Sequence, residues 1–296
     1  MYEVESVDWR HEPRYGERNI SARARARNGE VRAMGHDFIR VDVTGGIARL
    51  TLERPEERNA MTLEMGREIE SAVRALNADD GVRVVVVTGA GKAFSAGGNL
   101  KTLGKEAGLG SDGPEMGGGE TFYRAFLSIR DLTVPSIAAV NGHAIGAGLC
   151  FAIACDLRVA HADAKLGMTF VKLGIHPGMA ATWNLPRLIG PTRAADLLFT
   201  GRLVDAQEAL ALALVNRVAA AGDFDGVVDG LAREIAANGP VALKLLKQTL
   251  RGTAERTIEG AVAREAQAQA ETFQTDDARE GIRAMMERRT PEFRGR

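Results

Sequence analysis

Val87-Thr88-Gly89-Ala90-Gly91-Lys92-Ala93-Phe94-Ser95-Ala96-Gly97-Gly98-Asn99-Leu100 and Asn141-Gly142-His143-Ala144-Ile145-Gly146-Ala147-Gly148-Leu149 are two glycine-rich turns, each preceded by an apolar strand. Neither is a phosphate loop. Gly89-x-Gly91 has Phe94 where a dinucleotide fingerprint needs its third glycine. Gly91-Lys92 has Val86 where a P-loop needs a glycine, and Ala93 where it needs Ser or Thr. One reading is a pair of ordinary tight turns. The other uses the small residues, which let backbone N–H groups approach a ligand closely. Two such amides, one at a helix N-terminus, can converge on a carbonyl oxygen and hold it as it becomes an anion. The amides of Ala96 and Ala147 are the expected donors.

Outward from these turns the chain reads as α/β. Phe38 to Val43 and Ile47 to Leu52 alternate with period two around Gly45-Gly46, which predicts a hairpin. Met61, Met65, Ile69, Val73 and Leu76 recur at helical spacing until Asp79-Asp80-Gly81 stops them. The run Val82 to Val87 suits a strand buried on both faces, and Ser136 to Val140 and Leu157 to Ala160 suit further interior strands. A helix is expected from about Ala147 to Ala154. Gly104 to Glu120 carries seven glycines in seventeen residues and reads as a mobile loop or lid. After about Ala220 only helical periodicity remains, over Phe224 to Ala237, Val241 to Leu250, Ala254 to Phe273 and Ala278 to Arg288. Three regions follow: a flexible Arg-rich extension over 1–35, a core over 36–220 and a helical region over 221–296.

Composition narrows the function classes. The 296 residues hold 38 Lys and Arg against 39 Asp and Glu, so no bulk field recruits nucleic acid or an anionic membrane. An RNA-binding arm in the extension is a minor alternative. Cys150 and Cys155 lie on different faces of a helix, which excludes a disulfide scaffold and a cysteine zinc site. The five histidines form no short-spaced pair, against a His-built metal site. Leu132 to Cys155 lacks Asp, Glu, Lys and Arg for 24 residues. Pro135, Asn141, His143 and three glycines interrupt it, so strand, turn and buried helix are expected there rather than a membrane span. The polar start has no apolar core of a secretory signal, and a cytoplasmic location is expected.

The sequence resembles the crotonase (enoyl-CoA hydratase/isomerase) superfamily from about Asp37 to Phe293. The matching stretches are Leu52-Glu53-Arg54-Pro55-Glu56-Glu57-Arg58-Asn59-Ala60-Met61, Ala93 to Lys101, Val134 to Gly142, Cys155-Asp156-Leu157-Arg158, Leu173-Gly174-Ile175-His176-Pro177-Gly178 and Glu280-Gly281-Ile282 with Pro291-Glu292-Phe293. The resemblance implies a β-β-α spiral core with a C-terminal helical trimerisation region, hence a homotrimer or dimer of trimers. It implies an acyl-CoA thioester substrate, with coenzyme A as part of the substrate and no covalently bound cofactor, in which the amides of Ala96 and Ala147 stabilise the enolate. By the same resemblance Arg58 and Ala60, with Ala96, Gly97, Asn99 and Leu100, hold the CoA, and Phe293 closes over it.

This sequence departs from the family where acid–base chemistry is done. The family's hydratases carry two glutamates; the first aligns with Cys150 and the second with Phe170, and neither is a carboxylate base. Asn99 stands where many relatives have Asp. Three side chains are candidate replacements. Cys150 lies in the first turn of a helix, where the dipole lowers a thiol pKa, or it is a small buried hydrophobe. His176 exchanges protons near neutral pH if it lines the pocket. Glu120 reaches inward or is a solvated helix-end charge. Asp156 is expected to tie a turn to backbone amides, and His143 to pack beneath the second turn. Hydration, double-bond migration, decarboxylation and thioester hydrolysis remain open, the last two needing fewer proton shuttles. A CoA-binding homologue without chemistry is the alternative from another class.

Overall fold

The computed structural model describes residues 32–34, 36–99, 104, 119–252 and 257–296. The strands are β1 (Arg32–Met34), β2 (Ile39–Thr44), β3 (Ile47–Leu52), β4 (Val84–Gly89), β5 (Ala93–Ser95), β6 (Ser136–Val140), β7 (His143–Ile145), β8 (Leu157–His161), β9 (Lys165–Gly167), β10 (Leu203–Asp205) and β11 (Arg217–Ala219). Seven of them form one sheet in the order β1-β2-β3-β4-β6-β8-β11, and four form a second in the order β10-β9-β7-β5. Pairing is antiparallel through β1, β2 and β3 and parallel from β3 to β11, as it is between β5, β7 and β9.

The strand order follows a spiral. Each of β4, β6 and β8 lies in the large sheet, and the chain then crosses to the small sheet as β5, β7 and β9. A glycine turn therefore joins the two sheets at Gly89–Gly91 and again at Asn141–Gly142. Val84 to Val87 are fully buried, because Val85 and Val87 face one apolar cluster while Val84 and Val86 face another.

The helices are α1 (Leu63–Asn77), α2 (Gly119–Leu127), α3 (Ala147–Ala154), α4 (Ala181–Ile189), α5 (Pro191–Thr200), α6 (Ala206–Ala211), α7 (Phe224–Ala236), α8 (Pro240–Arg251), α9 (Ile258–Phe273) and α10 (Asp276–Glu287). Helix α1 starts where the Thr62 hydroxyl accepts the Met65 amide and buries Met65, Ile69, Val73 and Leu76. Every residue of α3 is buried, so it carries no amphipathic stripe. Phe126 of α2 meets Phe151 of α3 edge-on, with ring centres 5.7 Å apart.

The apolar span 132–155 resolves into β6, β7 and α3. Among the described residues no helix is long and apolar enough to cross a membrane. Two boundaries differ from expectation. The sheet begins at Arg32, inside the segment expected to be extension, since Arg32–Met34 pair with Val41–Val43. The 104–120 stretch lies outside the described residues except for Gly104, Gly119 and Glu120, the last two opening α2. Lys247 docks α8 on the core. The residue is 5% exposed, and its ammonium donates to the Val134 carbonyl at 2.5 Å and pairs with Asp156 at 2.6 Å. Asp156 also accepts the Ser136 amide and hydroxyl, so it ties the turn as expected and anchors a helix besides.

Candidate active site

The first glycine turn is held from two sides by asparagines. Asn59 is fully buried with a left-handed backbone. Its amide nitrogen donates to the carbonyls of Ala90 (2.9 Å) and Ala93 (2.8 Å), and its oxygen accepts the Arg54 N–H. Asn141 donates to Gly89 and Gly91 and accepts from the Gly89 amide. Its side chain fastens the second turn to the first. Sequence reading missed both; a short amide side chain that tolerates the left-handed region, inside Arg58-Asn59-Ala60, is the signal that was available.

Beyond the turn, residues 58–61 run beside 96–99 as a ribbon. The Met61 N–H donates to Gly97 and the Asn99 N–H to Met61, which is a parallel bridge between Met61 and Gly98. The Ala96 N–H donates to the Arg58 carbonyl at 2.9 Å, and the Gly97 N–H to the Ser95 hydroxyl at 3.1 Å. This corrects the assignment of Ala96 as a donor to ligand: its hydrogen is spent inside the ribbon. The amides of residues 96, 97 and 99 are thus bonded, the Gly98 amide bonds to none of the described residues, and the bridge geometry turns that N–H away from Met61.

The neighbouring Gly97 meets the start of α3. Gly97 has φ +92, and a Cβ there would stand 2.6 Å from the Ile145 carbonyl and 3.3 Å from the Ala147 nitrogen. Glycine is required on both counts. A Cβ on Gly148 would stand 2.5 Å from the Ser95 carbonyl, so α3 and β5 approach closer than any side chain permits. Cys150 N–H to Gly146 is the first intrahelical bond of α3, which leaves the Ala147 amide pointing out of the helix N-terminus. At Gly97 the ribbon thus lies against the start of α3.

The other expected site residues are distributed as follows. Arg58, Ala60, Ala96, Gly97 and Asn99 come together on the ribbon, with Arg58 exposed. The Asn99 side-chain nitrogen donates to Glu57 at 3.0 Å, and Glu57 also takes the Arg54 guanidinium. Leu100 lies outside the described residues. Phe293 is not with them. Its ring packs on Gly281 and its carbonyl accepts from Arg83, beside the start of β4 and about 20 Å from that strand's far end at six residues of ~3.3 Å each. Within this chain Phe293 thus does not stand with Arg58, Ala60 and Asn99.

The acid–base candidates also fall away. Cys150 is fully buried, its sulfur 3.7 Å from Met168 Sδ and from the Gly178 carbonyl oxygen. Burial raises its thiol well above the ordinary range, outweighing the helix N-terminus. It is the small buried hydrophobe, not a thiolate. His176 is exposed, with Nδ1 2.8 Å from the Pro177 carbonyl. Glu120 is exposed and pairs with Arg124 at 2.7 Å on the outside of α2, so it does not reach inward. His143 is exposed too, its Nδ1 accepting the Lys165 amide rather than packing beneath the turn.

Three side chains stand close to Gly146 and Gly178. A Cβ on Gly146 would lie 3.8 Å from the Thr169 hydroxyl and 3.9 Å from Phe170 Cζ. Phe170 therefore presents an aromatic edge to the helix N-terminus. A Cβ on Gly178 would lie 2.4 Å from the Tyr123 hydroxyl. Tyr123 was missed because nothing in the sequence around it resembles a motif; its place follows from α2 packing against α3.

Two sheets joined through glycine turns at Gly89–Gly91 and Asn141–Gly142 define the class of fold to which the chain belongs. Residues 42–296 match the family model for enoyl-CoA hydratase/isomerase, and the chain belongs to that family. It is 41% identical over 249 residues to a Thermus thermophilus protein provisionally named an enoyl-CoA hydratase, covering 84% of this chain and 98% of that one. It is 36% identical to the short-chain-enoyl-CoA hydratase of Clostridium acetobutylicum, covering 83% and 93%. The crystal structure of enoyl-CoA hydratase from Bacillus anthracis superposes with a TM-score of 0.81 at 34% identity, covering 88% of this chain and all of that one. The chain is an enzyme of the enoyl-CoA hydratase/isomerase type.

Proposed function

We propose that the enzyme binds an acyl-CoA thioester along the 58–61/96–99 ribbon and stabilises its enolate with the amides of Gly98 and Ala147. The observation that supports this is the hydrogen-bond pattern of the ribbon, which spends the amides of residues 96, 97 and 99 on the protein, leaves that of Gly98 unbonded among the described residues, and sets Gly97 against the start of α3. When charge builds on the thioester oxygen, two fixed N–H donors and the α3 dipole meet it without reorganising. Coenzyme A enters as part of the substrate, and no further cofactor takes part.

The reaction that follows the enolate is set by what flanks the α-carbon. Phe170 and a protonated, buried Cys150 supply no carboxylate to activate water. This favours outcomes in which the enolate forms by loss of carbon dioxide over addition of water. A panel of enoyl-, 2-carboxyacyl- and saturated acyl-CoA thioesters, read by mass spectrometry, tests the reading. Loss of CO2 from 2-carboxyacyl-CoA supports it, gain of water by enoyl-CoA assigns hydration in its place, and binding without turnover leaves a non-catalytic CoA binder.

Self-association into a trimer or a dimer of trimers is part of the same reading. Phe199, Ile258, Val262, Met285 and Met286 are each 60–82% exposed, more large apolar surface than a solitary chain needs. Sedimentation at micromolar concentration giving a single-chain mass overturns the oligomer.

A further inference from the structure

We propose that the Tyr123 hydroxyl exchanges the proton at the α-carbon of the thioester, a role that rests on the acyl-CoA reading above. The geometry is a short chain of contacts from the oxyanion spot. Ala147 and Cys150 are three residues apart on α3, so their side chains share one face, about 5–6 Å apart. The Cys150 sulfur touches the Gly178 carbonyl at 3.7 Å. Tyr123 from α2 lies against the same glycine, so closely that a Cβ there would be 2.4 Å from its oxygen and 2.5 Å from Cζ. Any other residue at 178 would push the phenol out of this slot.

Tyr123 therefore brings a proton-bearing oxygen to the wall where Cys150 and Phe170 offer none. The ring is set by its neighbours: Phe122 meets it edge-on at 6.1 Å and itself packs tilted against Phe126 at 4.9 Å. The residue as a whole is 37% exposed.

The step balances without another reactant. When an enolate has formed, the phenol O–H bond breaks, its proton joins the α-carbon and the enolate electron pair becomes the new C–H bond. The phenolate left behind takes a proton from solvent. In reverse, the phenolate accepts the α-proton while the thioester oxygen takes up charge against the two amides. A phenol carries its proton at neutral pH and a carboxylate does not. This residue therefore suits capture of an enolate better than activation of water.

The test is α-proton exchange of butyryl-CoA in D2O by the full-length protein, followed by mass spectrometry, with binding of butyryl-CoA measured in parallel by calorimetry. In Tyr123→Phe, which keeps the ring, exchange is expected to fall by about 10²–10⁴ while the dissociation constant stays within about threefold. Gly178→Ala, which evicts the phenol, is expected to show the same split. Exchange in Tyr123→Phe equal to wild type, with wild type exchanging, overturns the tyrosine assignment and leaves the acyl-CoA reading standing. Wild type that neither binds nor exchanges butyryl-CoA overturns both.

Discussion

Replacing Gly148 with alanine adds one methyl group at the closest approach between α3 and β5. The new carbon stands 2.5 Å from the Ser95 carbonyl oxygen, 2.8 Å from Ser95 Cβ and 3.0 Å from Ser95 Oγ. Ordinary contact begins near 3.4 Å, so the two backbones must part by about 3.4 − 2.5 = 0.9 Å. Ala147 is the adjoining residue on one side and Gly98 lies three beyond Ser95 on the other, so the gap opens between the two proposed donors. An N–H···O bond of about 2.9 Å lengthened by that amount is no longer a hydrogen bond. Loss of one such donor costs about 10²–10³ in kcat, or roughly 2.7–4 kcal/mol. Alanine is otherwise the better helix residue, by ~0.5–1 kcal/mol. Steady-state kinetics on the thioester that wild type turns over, beside thermal unfolding, checks this. The expected result is kcat down at least a hundredfold with KM little changed. A variant that melts like wild type and keeps kcat within threefold would refute the reasoning.

Three further outcomes follow from the same structure. Burial raises both thiols, that of Cys155 up to about 12, so a chromogenic disulfide at pH 8 should label neither in the native protein and both after unfolding; Cys150→Ala should keep kcat within about threefold. Lys247→Met leaves Asp156 without its buried cation. Because Asp156 is about a third exposed and keeps the Ser136 bonds, the loss should fall at or below the ~3 kcal/mol lower end for broken buried pairs, read from the shift of the urea midpoint. Glu280 holds Arg289 and the Glu292 amide, and the bond to Arg289 lowers its carboxyl from 4.5 to about 2. A carboxylate depressed in the folded state contributes stability above its unfolded pKa and loses it as pH falls through the folded one. Hydrogen exchange in residues 289–296 should therefore be slow at pH 6 and quicken between about pH 4.5 and 2, and exchange independent of pH across that window, after correction for intrinsic rates, would remove the clamp.

Much of the fold was legible because its signals are local. The Val82–Val87 run, the helical spacing from Met61 to Leu76 and the loss of strands after Ala220 each report burial along one element. The two glycine turns were legible for a similar reason: Gly97 and Gly148 are glycines because backbones meet there. The choice of donor was not. Whether Ala96 or Gly98 offers its N–H depends on which side of the ribbon faces Met61, a period-two matter settled by residues 35 positions away. Cys150 shows the same limit, since its distance from the helix start favours a thiolate while the packing of Met168 and Gly178 around it forbids one. Tyr123 and Phe293 were misjudged or missed because their neighbours are distant in sequence.

The account turns on where a thioester oxygen comes to rest. A crystal structure with a non-cleavable acyl-CoA analogue measures that directly. The expected result places the carbonyl oxygen 2.7–3.1 Å from both the Gly98 and Ala147 nitrogens, with the Ala96 N–H still on Arg58. An oxygen bonded by Ala96, or held by side chains away from the start of α3, would contradict it.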